Sequence, residues 1–201
     1  MDDFSDTAII EIAAIIANHL EGCGISVVLV GGLAVEFYSE NLYLTRDIGM
    51  VDTSYQSSTT MQQAMRAIGF LKQGRVYVNE TTNVSVEFPG APLSVGEELI
   101  QKTTTVDTSA GKIPILLAKD VIKDRLAAYF HWNDRPSLVQ ALAVANKHGI
   151  DEQELREFCQ REGRAGAYIE FISLSNGLTN LEFETMETIE QYIIEQTLAS
   201  L

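Results

Sequence analysis

Cysteine is scarce in this chain: Cys23 and Cys159 are the two among 201 residues. Two thiols so far apart make neither a disulfide framework nor a zinc site of the usual spacing, so two reduced, partly buried thiols are expected. Proline is equally sparse, at 4, and 46% apolar against 21% charged residues is the composition of a chain with a real core. The next deficit is in basic residues. Fourteen Lys and Arg face 28 Asp and Glu, a formal net charge of −14. A nucleic-acid duplex needs a basic footprint to neutralise its phosphates, so general nucleic-acid binding is disfavoured, as is docking on an anionic membrane surface. Long hydrophobic runs are missing too. The stretch Ile25 to Val30, interrupted by Ser26, falls far short of the roughly 20 residues of a membrane span. The opening Met1-Asp2-Asp3-Phe4 has no basic region ahead of an apolar one, so no secretory leader is expected and the cytoplasm is the expected location.

The acidity that is present is uneven. Residues 151–201 hold 11 acids and 3 bases, whereas residues 1–150 hold 17 and 11. More than half of the excess therefore lies in the last quarter, and an anion-binding site belongs in the first three.

Apolar residues recur at helical spacing from Thr7 to Leu20, and Gly22 and Gly24 stop that helix. Ser26 to Val30 is a short β-branched run that suits a strand covered on both faces. Gly31-Gly32 ends it, and Leu33 to Ser39 reads as a helix. A second strand is expected over Asp47 to Val51 and a helix over Thr60 to Ile68. Two strands follow at Arg75 to Asn79 and Asn83 to Phe88, ended by Pro89-Gly90-Ala91-Pro92, and two more at Gln101 to Val106 and Lys112 to Leu117. Beyond Leu117 the texture changes. Lys119 to Trp132, Pro136 to His148, Glu152 to Glu162 and Thr185 to Leu198 are helical, while Tyr168 to Leu174 fits helix or strand equally. There is no internal repeat and no long linker. The expected fold is α/β (α+β): a mixed sheet flanked by helices over residues 1–116, with a helical extension over 117–201 packed on it.

Chemistry concentrates between Val27 and Met50. A buried strand that ends in Gly31-Gly32 and opens a helix leaves free backbone N–H groups at a positive helix end, and glycine lets a phosphate approach them. The same pair is also what a plain tight turn requires. Asp47, fifteen residues after Gly32 on a strand expected alongside, could hold Mg2+ against the same phosphates. Neither the Rossmann nor the P-loop glycine pattern is present.

Gly31-Gly32, then Thr45-Arg46-Asp47-Ile48 on a neighbouring strand, then Glu87 in Val84-Ser85-Val86-Glu87-Phe88, resembles the nucleotidyltransferase superfamily of DNA polymerase beta type. The likeness is to its minimal and abortive-infection toxin-type branch, in toxin–antitoxin-like systems. It covers roughly residues 20–145, and the helix from Leu116 to Ala128 fits its tail. The resemblance implies Mg2+-dependent transfer of a nucleoside monophosphate from an NTP to an acceptor hydroxyl. Gly31, Gly32, Thr45 and Lys123 would meet the nucleotide, and Asp47 and Glu87 the metal. Lys123 has a second reading, as one partner of ion pairs on an exposed helix face with Asp120 and Asp124. Arg46 could meet a substrate anion or pair locally.

The family pattern is Asp-x-Asp or Asp-x-Glu, and here its second acid is Gly49. Asp52, three residues on in a regular strand, points to the opposite face. Asp47 and Glu87 alone suit one ion better than two, and losing a bridging carboxylate slows transfer by roughly a thousandfold. The alternative implied is a catalytically degenerate module that binds a nucleotide or a protein on the same fold. Ile189, Ile193, Ile194 and Leu198 in the last helix are expected to pack inward or against a second copy, the second case giving a homo-oligomer through the C-terminal helices.

Overall fold

A computed structural model describes residues 3–179, 181 and 185–199. The protein is mixed α/β with a helical C-terminal part. Its packing divides into two units. The first comprises Met1–Ala34, Thr45–Ser94 and Leu99–Leu117, and the second Val35–Leu44, Val95–Glu98 and Ala118–Leu201. The main division thus falls at Leu117, where the sequence texture changes. Two short segments from within the first stretch belong with the helices.

The first unit is built on a seven-stranded sheet. In chain order the elements that carry it are α1 (Ile9–Gly22), β1 (Val27–Val30), the start of α2 (Gly31–Tyr38), β2 (Asp47–Asp52) and α3 (Ser58–Ala67). There follow β3 (Leu71–Gln73), β4 (Val76–Val78) and β5 (Ser85–Glu87). A small hairpin, β6 (Ser94–Val95) and β7 (Glu98–Leu99), precedes β8 (Thr103–Thr108) and β9 (Gly111–Leu116). The sheet order is β3-β4-β5-β2-β1-β9-β8. β1 is antiparallel to β2 and parallel to β9, while β2 is parallel to β5.

Central strands with both faces covered need apolar side chains at successive positions. Val27, Val28 and Leu29 are all buried, as are Ile48, Met50 and Val51. Leu29 lies between Met50 on one side and Ile115 on the other, and all three are wholly buried. Each such side chain contributes about 1.5–3 kcal/mol through its removal from water. α1 adds Ile12, Ile16 and Leu20, its apolar stripe, to the same core. Ser57 caps α3 by accepting from the Thr60 amide.

The second unit contains α4 (Ala118–Trp132), α5 (Arg135–His148), α6 (Glu152–Arg161), α7 (Ala165–Leu178) and α8 (Met186–Ala199). Residues 137–145 of α5 are buried without a break, which is the signature of a central helix. The ambiguous stretch Tyr168 to Leu174 lies in α7, whose buried residues Tyr168, Phe171, Leu174 and Leu178 recur at helical spacing. In α8, Ile189 and Ile193 point inward while Ile194 and Leu198 face outward.

The structure departs from expectation at four places, the first being the β6–β7 hairpin, where no strand is expected. Asp120 and Lys123 of α4 are buried rather than on an exposed face. Cys23 is exposed, at the end of α1, whereas Cys159 is buried. β3 is a strand that local pattern does not announce, because all three of its residues are exposed. Among the described residues no helix is long and apolar enough to cross a membrane.

Candidate functional site

β1 passes directly into α2 with no loop between them. This needs a left-handed residue at the junction, and Gly31 supplies it with φ at +66°. A Cβ built on Gly31 would meet nothing within 4 Å, so the backbone at this turn is open to close approach. The first turn of α2 carries no acidic side chain, which leaves the positive end of the helix without a countercharge of its own.

Asp47 opens β2 and is exposed. Thr45 Oγ1 accepts the Asp47 amide at 3.1 Å, a local bond that holds the backbone as it enters the strand. Ser85 Oγ donates to Asp47 Oδ1. That second bond spans two strands and follows from their register. Asp47 pairs with Ser85, Ile48 with Val86 and Gly49 with Glu87. On the other side of β2, Gly49 pairs with Val30.

The pleat converts this register into a site. Side chains two apart share a face, and paired residues of adjacent strands share it too. Asp47, Gly49, Ser85 and Glu87 therefore occupy one face, in two adjoining rows. The first row is Val30, Gly49 and Glu87. In the next, Asp47 and Ser85 lie beside the point where β1 has ended and Gly31-Gly32 begins α2. The structure thus brings Gly31, Gly32, Thr45, Asp47 and Glu87 to one end of one sheet. Glu87 is half-buried, and among the described residues its carboxylate makes no hydrogen bond or ion pair.

Gly49 sits in the middle of this group. Its nearest neighbours for an added Cβ are the Val30 carbonyl oxygen at 3.4 Å and Val30 Cγ2 at 3.5 Å, both ordinary contact distances. Its backbone is regular, so a side chain fits there and would share the face of Asp47 and Glu87. β2 runs through to Asp52 in continuous register with β1. No bulge redirects Asp52. Its Oδ1 accepts from the Ser54 amide at 2.8 Å and from Ser54 Oγ at 2.6 Å, and its Oδ2 from the Gln56 amide at 2.8 Å. That carboxylate shapes the loop after β2, on the far face of the sheet. Among the described residues no group of three or more His, Cys, Asp or Glu gathers as a metal site.

Lys123 lies in the second unit, with its side chain 2% exposed. Its Nζ reaches Glu154 Oε1 at 2.7 Å, Asp120 Oδ1 at 3.0 Å and Glu98 Oε2 at 3.4 Å. Burial opposes its charge, but the hydrogen bonds it donates to Glu154 and Asp120 outweigh that and hold its pKa above the usual lysine value. Three carboxylates match the three donors of an ammonium group. Lys123 ties Glu98, Asp120 and Glu154 together and has no donor left for a phosphate.

Ser85 is the site residue that sequence reasoning passed over. The same alternation that places Glu87 on the Asp47 face also places Ser85 there, two residues earlier. Compared with models of known protein families the chain matches none, and no curated protein matches it significantly.

Proposed function

We propose that this chain is a nucleotidyltransferase-like protein that binds a nucleoside triphosphate through a reduced, single-ion site and transfers the nucleotide slowly. The observation that supports this reading best is the register itself. Strand pairing sets Asp47 and Glu87 on one face, beside an open Gly31-Gly32 turn that starts a helix. Backbone N–H groups at that helix end suit phosphate oxygens.

Asp47 and Glu87 would hold one Mg2+, two carboxylates with water completing the shell being an ordinary arrangement for that ion. Two ions do not fit, since Gly49 offers no ligand between Asp47 and Glu87. Held by Asp47 and Glu87, such an ion would supply positive charge against the phosphates. Thr45 and Ser85 position Asp47 from its backbone and its carboxylate respectively. Gly49 equally favours a second reading, a module on the same fold that binds a nucleotide without turnover.

Calorimetry with each NTP, with and without Mg2+, tests the reading alongside a labelled transfer assay. Mg2+-dependent binding that Asp47→Asn abolishes is the expected result, with transfer accelerated roughly a hundredfold or more in Gly49→Asp. Binding without transfer in either protein selects the second reading. Absence of binding by every NTP overturns both.

A further inference from the structure

The opposite face of the same sheet carries a concavity. Lys72 pairs with Tyr77, Tyr77 with Val86 and Val86 with Ile48, so these four share the face that Asp47 and Glu87 do not. Around Lys72 and Tyr77 opens a cleft of about 360 Å³, to which Asp52, Tyr55, Arg75 and Phe88 also contribute. That volume is in the range of small-molecule sites.

Its charge runs against the rest of the molecule. The chain carries −14, yet two cations line this cleft, and among the described residues neither Lys72 nor Arg75 forms an ion pair. Lys72 Nζ lies 3.5 Å from Ser58 Oγ and 5.9 Å from the centre of the Tyr77 ring. Asp52, the acid in the wall, has both oxygens engaged by Ser54 and Gln56 and makes no salt bridge there.

Tyr77 supplies an independent pointer. The residue is 3% exposed, its ring packs edge-on against Phe88 at 5.5 Å, and its hydroxyl has no hydrogen-bond partner among the described residues. No buried polar side-chain atom among those residues is sealed off without a partner. The Tyr77 oxygen therefore keeps contact with solvent, and its residue lines this cleft. A buried side chain with a free donor in a cationic cleft is matched by an acceptor-rich anion. Burial raises the Tyr77 pKa above the usual tyrosine value, which keeps the donor proton in place. Tyr55, 71% exposed, adds an aromatic surface at the same cleft.

We propose that this cleft binds a nucleoside monophosphate, with Lys72, Arg75 and the Tyr77 hydroxyl on the phosphate and Tyr55 against the base. Arginine is suited to forked contacts with phosphate and lysine acts as a point charge, while an exposed aromatic face stacks on any base. The site needs no metal and is independent of the nucleotidyltransferase reading.

Calorimetry on the full chain in EDTA provides the test, with the four common nucleoside monophosphates, inorganic phosphate and the uncharged nucleosides as probes. At least one monophosphate is expected to bind about tenfold or more tightly than phosphate or its own nucleoside. Arg75→Ala, an exposed position, is expected to weaken it by about tenfold, and Tyr77→Phe, which removes one oxygen, by about threefold to tenfold. Asp47→Asn leaves it unchanged. Failure of all four monophosphates overturns the proposal, as does phosphate alone binding equally well. So does indifference to both Arg75→Ala and Tyr77→Phe, or loss of binding in Asp47→Asn. Working without metal separates this outcome from the Mg2+-dependent one on the other face.

Discussion

The two faces of the central sheet are made by the same strands and differ in almost every chemical respect. Odd positions of β2 and β5 present Asp47, Gly49, Ser85 and Glu87, two carboxylates beside an open glycine turn. Even positions present Ile48, Met50 and Val86, all wholly buried, with Asp52 at the end of the strand and Lys72 and Tyr77 further along the sheet. One face gathers acids and the other gathers cations at the margin of an apolar centre. Because the side-chain period is two, a slip of one residue would exchange them, so the contrast depends on register being firmly held. The apolar face holds it.

The largest effect should therefore come from the core that both faces share. Ile48→Ala removes a wholly buried side chain from the apolar face of β2, whose backbone both faces share, and is expected to cost about 2–5 kcal/mol. In chemical denaturation, Mg2+-dependent and metal-free ligand responses should fail together; survival of one would show that the faces fold separately.

Next comes a pair of aspartates on one strand. Asp52→Ala strips the acceptor from two amides and a hydroxyl and should cost about 1–3 kcal/mol. Asp47→Asn, at an exposed position, should change stability by less than about 0.5 kcal/mol while removing the Mg2+ response. The reverse ranking in thermal unfolding would break the contrast between a structural and a chemical acid.

Gly49→Asp sharpens the acidic face. Its added Cβ meets Val30 at ordinary contact distance, so the fold should be kept. Mg2+ affinity by calorimetry is expected to rise about tenfold, near 1.4 kcal/mol.

The smallest effect belongs to Tyr77. Its folded pKa lies above the ordinary value of 10.0 because burial disfavours the phenolate. The neutral form is thus favoured in the fold. Its contribution is fully present below pH 10.0 and is lost as pH rises beyond that value through the folded pKa. Unfolding free energies at about pH 9 and pH 11 should fall less in Tyr77→Phe than in the natural protein. An equal fall would show that Tyr77 is not the group concerned.

Much of this was legible locally. The β-branched run Val27 to Val30, the Gly-Gly stop and the alternation around Asp47 and Glu87 each depend on a handful of adjacent residues, and the strands lie where those patterns place them. So does the change to helices after Leu117. The Lys123–Asp120 pair was legible within one helix turn, but the burial of Lys123 was not, because its other carboxylate partners Glu98 and Glu154 lie 25 and 31 residues away in sequence. Nor was the cationic cleft. Lys72 sits on a strand whose three residues are all exposed, so no apolar pattern marks it, and only its pairing with Tyr77 places it beside the cavity.

The sequence by itself determined the central strands, most of the helices, their order and the absence of a second acid at position 49, since helix and strand periodicity, glycine turns and residue identity are local properties. Tertiary structure alone decided that Gly49 stands between Val30 and Glu87, that Ser85 meets Asp47, and that Lys72 shares a face with Tyr77 on the side away from both carboxylates. Apart from Lys72 and Tyr77, which are neighbours in one hairpin, those pairings join residues distant in sequence. They are selected by the joint burial of many apolar side chains, an energy that belongs to the assembled sheet and to no single segment of it.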